Sequence, residues 1–208
     1  MKKYIYFLFM LFIAGALPLF AQGTILGLNG GMLFPEDTEG GAIIGISWGR
    51  MLDQNISWEF EADYFWRTYT KEMTVEVSGG TTQSSTIVTE IENSTRMLPV
   101  FFKLGFLTQI LPKLDLKFGG GLGYVFLWNN DMNYKLDVEN SEFYSGFAWH
   151  LSAGVSFPIS RAADLYGEAA YLSSTPSTSE GKTAEGLPKR TEVDISGIWL
   201  RAGLRLYH

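Results

Sequence analysis

The sequence predicts an all-β protein, an eight-stranded antiparallel up-and-down transmembrane β-barrel. The segment 193–208 alternates strictly between an apolar face and a face that carries Gly and Arg, and a period of two indicates a β-strand. Earlier segments alternate in the same way, and no stretch beyond the N-terminus has a helical period. The links between the segments are alternately short and long, which is typical of barrels that cross a membrane.

Turn residues divide the chain into the predicted strands. Pro35-Glu36-Asp37, Asp53-Gln54-Asn55 and Ser78-Gly79-Gly80 mark the first breaks, and similar Pro- and Asn-containing breaks follow. Strands are predicted at 23–34, 41–51, 56–77, 86–107, 115–129, 142–158, 163–173 and 193–208. With both termini on one side, the longer polar links meet at the opposite side.

The N-terminus has the pattern of an export signal. Lys2 and Lys3 precede an apolar run that ends at Phe20, and Ala21 offers a cleavage point. We therefore expect a signal peptide at 1–21 and a barrel domain at 22–208. An uncleaved anchor helix is the alternative interpretation of this segment.

Charge and composition exclude several functions. Without Lys2 and Lys3 the chain keeps 14 of its 16 basic residues against 22 acidic ones, a formal charge of −8. That balance argues against a nucleic-acid partner, which needs a basic surface. The chain has no cysteine, so disulfides and thiolate metal sites do not arise.

The two faces of each strand predict which side meets lipid. In the fifth strand Phe118, Leu122 and Tyr124 alternate with Gly119, Gly121 and Gly123. Glycine weakens a strand unless close packing requires it, and the interior of a narrow barrel does require it. The apolar faces are therefore expected to meet hydrocarbon, with aromatic residues near the strand ends. A soluble β-sandwich or lipocalin-like barrel is the alternative.

The predicted interior carries four acids and four bases. Desolvation of an unpaired charge costs several kcal/mol, so we expect these groups to pair, for example Glu59 or Glu61 with Lys103. An eight-stranded interior is just filled by side chains, which favours a structural plug over a gated conduit. The expected charge network comprises Glu59, Glu61, Asp63, Lys103, Lys117, Glu168, Arg201 and Arg205.

The whole pattern resembles a small outer-membrane β-barrel of the OmpA/OmpX type. The most specific feature is the last strand, where Arg201, Gly203 and Leu206 match the C-terminal assembly signal of such proteins and His208 stands where an aromatic residue is usual. The resemblance implies a bacterial outer-membrane location. It also implies contact with outer-membrane lipid, lipopolysaccharide and the barrel-assembly machinery. A structural or adhesive role follows from it, with a narrow OmpW-like conduit or binding barrel for a small or apolar solute as the alternative.

The loops 67–95, 129–142 and 173–192 are the expected contact surfaces, and the hairpin at 67–95 is the longest of them. Its strands continue past Trp66 as Thr-, Val- and Glu-rich segments without apolar faces, which indicates a ribbon outside the membrane. A protruding sheet edge can add a strand from an extracellular protein. Glu76, Glu90 and Glu92 instead suit an inert ribbon whose charges discourage pairing.

We predict no enzyme activity, no cofactor and no metal site. The triplet His150-Leu151-Ser152, with Glu168 in the following strand, is weakly similar to the His-x-Ser of outer-membrane lipid A deacylases. Those enzymes follow the Ser with Asn, whereas this chain has Ala153. Asp131, Asp137 and Glu139 fit no known calcium loop, so we expect a solvated acidic loop.

Overall fold

The structure is a computed structural model that describes residues 23–36, 40–78, 83–134, 138–182 and 188–208. The export signal predicted at 1–21 lies outside these residues and stays a prediction. No helix within the described ranges is long and apolar enough to cross a membrane.

Ten antiparallel strands make up the described chain. Eight of them, β1 to β7 and β10, close into a barrel, because β1 pairs with β10 and β5 pairs with β6. The predicted fold class is therefore confirmed. The strands are β1 (Thr24–Pro35), β2 (Gly41–Met51), β3 (Ile56–Ser78), β4 (Gln83–Leu111), β5 (Leu114–Asn133), β6 (Val138–Ser160), β7 (Ala163–Ser174), β8 (Ser177–Lys182), β9 (Pro188–Glu192) and β10 (Gly197–Tyr207).

The segment between β7 and β10 differs from the prediction of a plain loop. β8 and β9 pair with each other there, and Ser177 of β8 pairs with Ser145 of β6. The last barrel strand begins at Gly197 rather than at 193. Even so, the Ile195 amide donates to the Ser174 carbonyl at 3.1 Å, so the alternation seen in the sequence reflects continued backbone pairing.

The first and last described residues, Gly23 and His208, lie at the same end of the barrel. The Gly23 amide donates to the carbonyl of His208 at 2.7 Å. The tight turns at 52–55, 112–113 and 161–162 lie at that end, and in outer-membrane barrels the short turns face the periplasm. The opposite end, where β3 and β4 extend furthest, is the outer end.

The exterior of the barrel is apolar. Leu28, Ile46 and Leu122 point outward and are each 62% exposed. An exposed apolar surface that covers a whole barrel wall is stable in hydrocarbon and not in water. Aromatic pairs stand near both ends, with Trp48 and Trp58 at 5.3 Å between ring centroids near the periplasmic turns. The apolar faces meet lipid, as predicted.

Close packing explains the glycines of the inward face. A Cβ on Gly45 would overlap a carboxylate oxygen of Asp63. A Cβ on Gly121 would overlap the imidazole ring of His150 at Nε2. The lumen therefore accepts its large polar side chains only because neighbouring strands offer no side chain of their own.

Candidate functional site

The eight charges predicted for the interior all lie buried in the lumen. Glu59, Lys103, Lys117 and Arg205 are each 1% exposed, and the other four are also buried. We call this group the ionic zone: Glu59, Glu61, Asp63, Lys103, Lys117, Glu168, Arg201 and Arg205.

Its ion pairs cross the lumen. An Nη of Arg205 on β10 lies 2.8 Å from Oε1 of Glu59 on β3. An Nη of Arg201, also on β10, lies 2.7 Å from Oε1 of Glu61 and 3.2 Å from Oδ2 of Asp63. Because β3 and β10 are three strands apart in the sheet, these bridges span the interior from wall to wall.

Glu168 is the hub of the ionic zone. The Nζ atoms of Lys103 and Lys117 each lie 3.1 Å from its carboxylate, and Arg201 binds the same carboxylate. Lys103 also lies 3.5 Å from Glu61. The sequence predicts pairs between neighbouring strands. The structure contains such pairs and adds transverse ones, because closure of the sheet brings distant strands face to face.

The residues of the His-x-Ser motif do not assemble into a hydrolase site. Both ring nitrogens of His150 and the hydroxyl of Ser152 have no hydrogen-bond partner within the described protein. The Glu168 carboxylate is bound by three cations instead. Acyl transfer requires a base that is hydrogen-bonded to the nucleophilic hydroxyl and oriented by the acid. His150 is bonded to neither Ser152 nor Glu168 and so lacks this geometry.

Above the ionic zone the lumen is apolar, which the sequence pattern did not predict. Trp199 and Phe101 form a layer with His150, with 4.6 Å between the centroids of Phe101 and His150. The guanidinium of Arg201 lies 4.7 Å from the ring centroid of Trp199, so this layer covers the ionic zone. The buried apolar cluster comprises Leu33, Ile43, Phe65, Met97, Phe101, Val125, Leu127, Tyr144, Ala148, Ala170, Leu172, Ile195 and Trp199.

The apolar part of the lumen ends in a cavity of about 550 Å³ that opens at the outer end. We call this cavity the outer cup. Its size lies within the range of small-molecule sites in proteins. The apolar lining consists of Leu33, Pro35, Phe65, Met97, Leu127, Tyr144, Val193 and Ile195. The polar lining consists of Arg67, Tyr69, Asn93, Thr95, Asn129 and Asp131.

Four polar residues of β4 and β5 form one wall of the cup, which we call the polar ladder: Asn93, Thr95, Asn129 and Asp131. The Thr95 hydroxyl donates to Oδ1 of Asn129 at 3.0 Å. The amide of Asn129 donates to the Asp131 carboxylate at 3.2 Å, and the amide of Asn93 donates to the same carboxylate. The opposite wall, which includes Leu33 and Ile195, is apolar.

The segment 193–196 holds the apolar wall in place. The Ser196 amide donates to a carboxylate oxygen of Asp194 at 2.9 Å. The hydroxyl and amide of Ser196 lower the pKa of Asp194 by hydrogen bonding to its ionised form. This turn points Asp194 outward and Ile195 into the cup.

The predicted assembly signal shares one residue, Arg201, with the ionic zone. Arg201 and Gly203 of the assembly signal face the lumen, Leu206 faces lipid, and His208 follows the end of β10. Recognition by the assembly machinery stays a prediction. Within the described ranges no group of three acidic or His side chains is placed to hold a metal. Asp137 lies outside those ranges.

No sequence-family model matches the chain, and no curated protein sequence matches it. Solved structures do. Neisserial surface protein A (NspA) has a TM-score of 0.57 at 10% identity over 89% of this chain and 96% of that one. Outer Membrane Protein W of E. coli has a TM-score of 0.49 at 15% identity over 90% and 98%. Ail, the attachment invasion locus protein of Yersinia pestis, has a TM-score of 0.48 at 13% identity over 89% and 100%.

The likeness to NspA shows a shared fold. That fold is the closed barrel of small bacterial outer-membrane proteins. The apolar exterior, together with this fold, places the protein in a bacterial outer membrane.

Proposed function

We propose that this chain, a small outer-membrane barrel of the OmpA/OmpX type, is a sealed barrel that binds a small apolar or amphipathic molecule in its outer cup. The observation that carries the proposal is the outer cup itself, a cavity of about 550 Å³ with an apolar wall that opens to the cell exterior. An apolar pocket with a few convergent polar groups is the usual form of a small-molecule site.

The ionic zone gives the cup a closed floor. Passage through the lumen would require separation of bridges such as Arg205–Glu59 at 2.8 Å and Arg201–Glu61 at 2.7 Å. Separation would leave buried charges without partners, at a cost of several kcal/mol per ion, so spontaneous opening is rare. Binding without passage is therefore the function that this lumen favours over conduction.

A titration of the protein in phospholipid nanodiscs tests the proposal. The probes are two fluorescent naphthalenes of similar shape, 1,8-diethylnaphthalene and 1,8-bis(hydroxymethyl)naphthalene. We expect saturable binding of at least one probe at one site per barrel. Val193→Trp, which fills the cup, should weaken that binding at least tenfold.

The matched control is Leu200→Trp, which adds the same side chain to the lipid-facing surface, where Leu200 is half exposed. It should bind like the parent protein. Absence of saturable binding of both probes, or equal binding by the Val193→Trp variant, would overturn the proposal.

The hairpin of β3 and β4 supports a second proposed function, surface interaction with an extracellular protein. β2 pairs with β3 only as far as Trp66, whereas β3 and β4 pair onward to Ser78 and Gln83. The pairing of β4 with β5 ends at Ile91. Among the residues that the structure describes, both edges of the ribbon therefore lack a barrel neighbour along its outer part, which is the geometry used for strand addition.

Replacement of residues 71–91 by Asn-Gly tests the second function, because this dipeptide closes a two-residue hairpin. The barrel should still fold, as judged by heat-modifiable gel mobility. Adhesion of cells that carry the protein to host cells should fall at least tenfold if the ribbon makes the contact. Unchanged adhesion would remove this candidate.

A further inference from the structure

We propose that the ligand of the outer cup is a neutral amphiphile with hydroxyl groups along one edge of an apolar body. This inference rests on the proposed function and names the chemical class that the cup selects. It depends on the unequal walls of the cup and on the unused hydrogen-bonding capacity of the polar ladder.

The two sides of the cup differ along its depth. On β4 and β5 the lining changes from Met97 and Leu127 at the bottom to Thr95 and Asn129, and then to Asn93 and Asp131. On the opposite side the lining remains apolar from Leu33 to Val193 at the rim. A molecule that fills the cup therefore contacts polar groups along one side and apolar groups along the other.

A purely apolar molecule would leave the ladder desolvated, and burial of polar groups without partners costs free energy. A head-to-tail amphiphile would place its polar end at the rim and its tail against the ladder. A molecule that is polar along one edge matches both walls at once.

The ladder offers donors and acceptors together. The amides of Asn93 and Asn129 each use one N–H on Asp131, and a carboxamide has a second N–H. The Thr95 hydroxyl donates within the ladder, so its lone pairs remain to accept. A hydroxyl group both donates and accepts, and so it suits this mixed set better than a group that only accepts.

Charge favours a neutral ligand. The Asp131 carboxylate lies in the ladder and repels an anionic edge, while Arg67 also lines the cup. With one acid and one base among the lining residues, the cup gives no net attraction to a charged molecule.

Two ladder variants test the inference with the same pair of naphthalenes. Thr95→Val keeps the shape of the side chain and removes the hydroxyl, and Asn129→Leu removes the amide. We expect the affinity for the bis(hydroxymethyl) probe to fall about three- to tenfold in each variant, the effect of one lost hydrogen bond. The affinity for the diethyl probe should change less than twofold.

Thr68→Val is the matched control, because Thr68 is exposed on the outside of β3; it should leave both affinities unchanged. Comparing each probe across variants in identical nanodiscs cancels its partition into lipid. Equal losses for both probes, or no loss for either, would overturn the polar-edge inference while leaving the proposed function standing. Failure of both probes to bind the parent protein would instead overturn the proposed function.

Discussion

The two halves of the lumen are filled by different physical means. The periplasmic half is held by charges, with Glu168 bound by three cations and Arg201 bound by three acids. The outer half is packed by aliphatic and aromatic side chains around Trp199 and then left open as the cup. Ion pairs that bridge the lumen close it in the periplasmic half. In the outer half, the apolar side chains do not fill the whole interior, and a cavity remains. Sealing and binding are thus assigned to separate halves.

The largest expected effect is in the ionic half. Arg201→Met leaves Glu61 and Asp63 without their shared cation and weakens Glu168. Removing one partner of a buried network costs about 3–5 kcal/mol, and we expect that loss in the free energy of unfolding measured by urea titration in detergent micelles. Arg96→Met, which alters an exposed arginine on the outside, should cost less than about 1 kcal/mol. Equal effects of the two changes would mean that the ionic zone contributes no special stability.

Substitutions in the apolar half should lower the free energy of unfolding by less, and the loss should depend on how deep in the lumen the side chain lies. Leu172 is fully buried, so Leu172→Ala should cost about 3 kcal/mol through lost transfer free energy and an enclosed void. Leu127 is also buried but lines the cup, so Leu127→Ala should cost about 2 kcal/mol, less than Leu172→Ala, because the space it leaves joins the cup instead of forming an enclosed void. The same urea titration measures both variants. A larger loss for Leu127→Ala would contradict an open cup.

The sequence predicted the eight barrel strands and their faces because these depend on local periodicity, but it missed β8 and β9, which lie outside the barrel wall. It predicted the eight interior charges because each of them stands at an inward position of its alternating strand. It did not predict the division of the lumen, although a signal was present: inward positions become apolar toward the outer end of several strands, as at Leu33, Phe65 and Leu127. The cup and the transverse ion pairs depend on strand register and barrel closure, which no single segment encodes.

The smallest predicted effect concerns the turn that supports the apolar wall. The pKa of Asp194 is lowered by its hydrogen bonds to Ser196, so its contribution is present above the unfolded pKa, near 4, and is lost as pH falls through the folded value. Asp194→Ala should therefore lower the free energy of unfolding by less than about 1 kcal/mol at pH 7, and by nearly the same amount at pH 5. Urea titrations at pH 7, 5 and 3 should show the difference begin to shrink only at the lowest pH. A difference that disappears between pH 7 and 5 would contradict the lowered pKa.

Accessibility to a charged thiol reagent tests most directly whether the lumen is open above and closed below. The chain has no cysteine, so each introduced thiol reports alone. Thr95→Cys places a thiol in the outer cup, and Ser47→Cys places one in the ionic half, where the Ser47 hydroxyl donates to Glu59 at 3.1 Å. With a membrane-impermeant methanethiosulfonate added from outside to cells that display the protein, the thiol of the Thr95→Cys variant should react within minutes. The thiol of the Ser47→Cys variant should stay unreacted until the protein is denatured. Rapid reaction of both thiols would show a continuous aqueous path and contradict the sealed barrel.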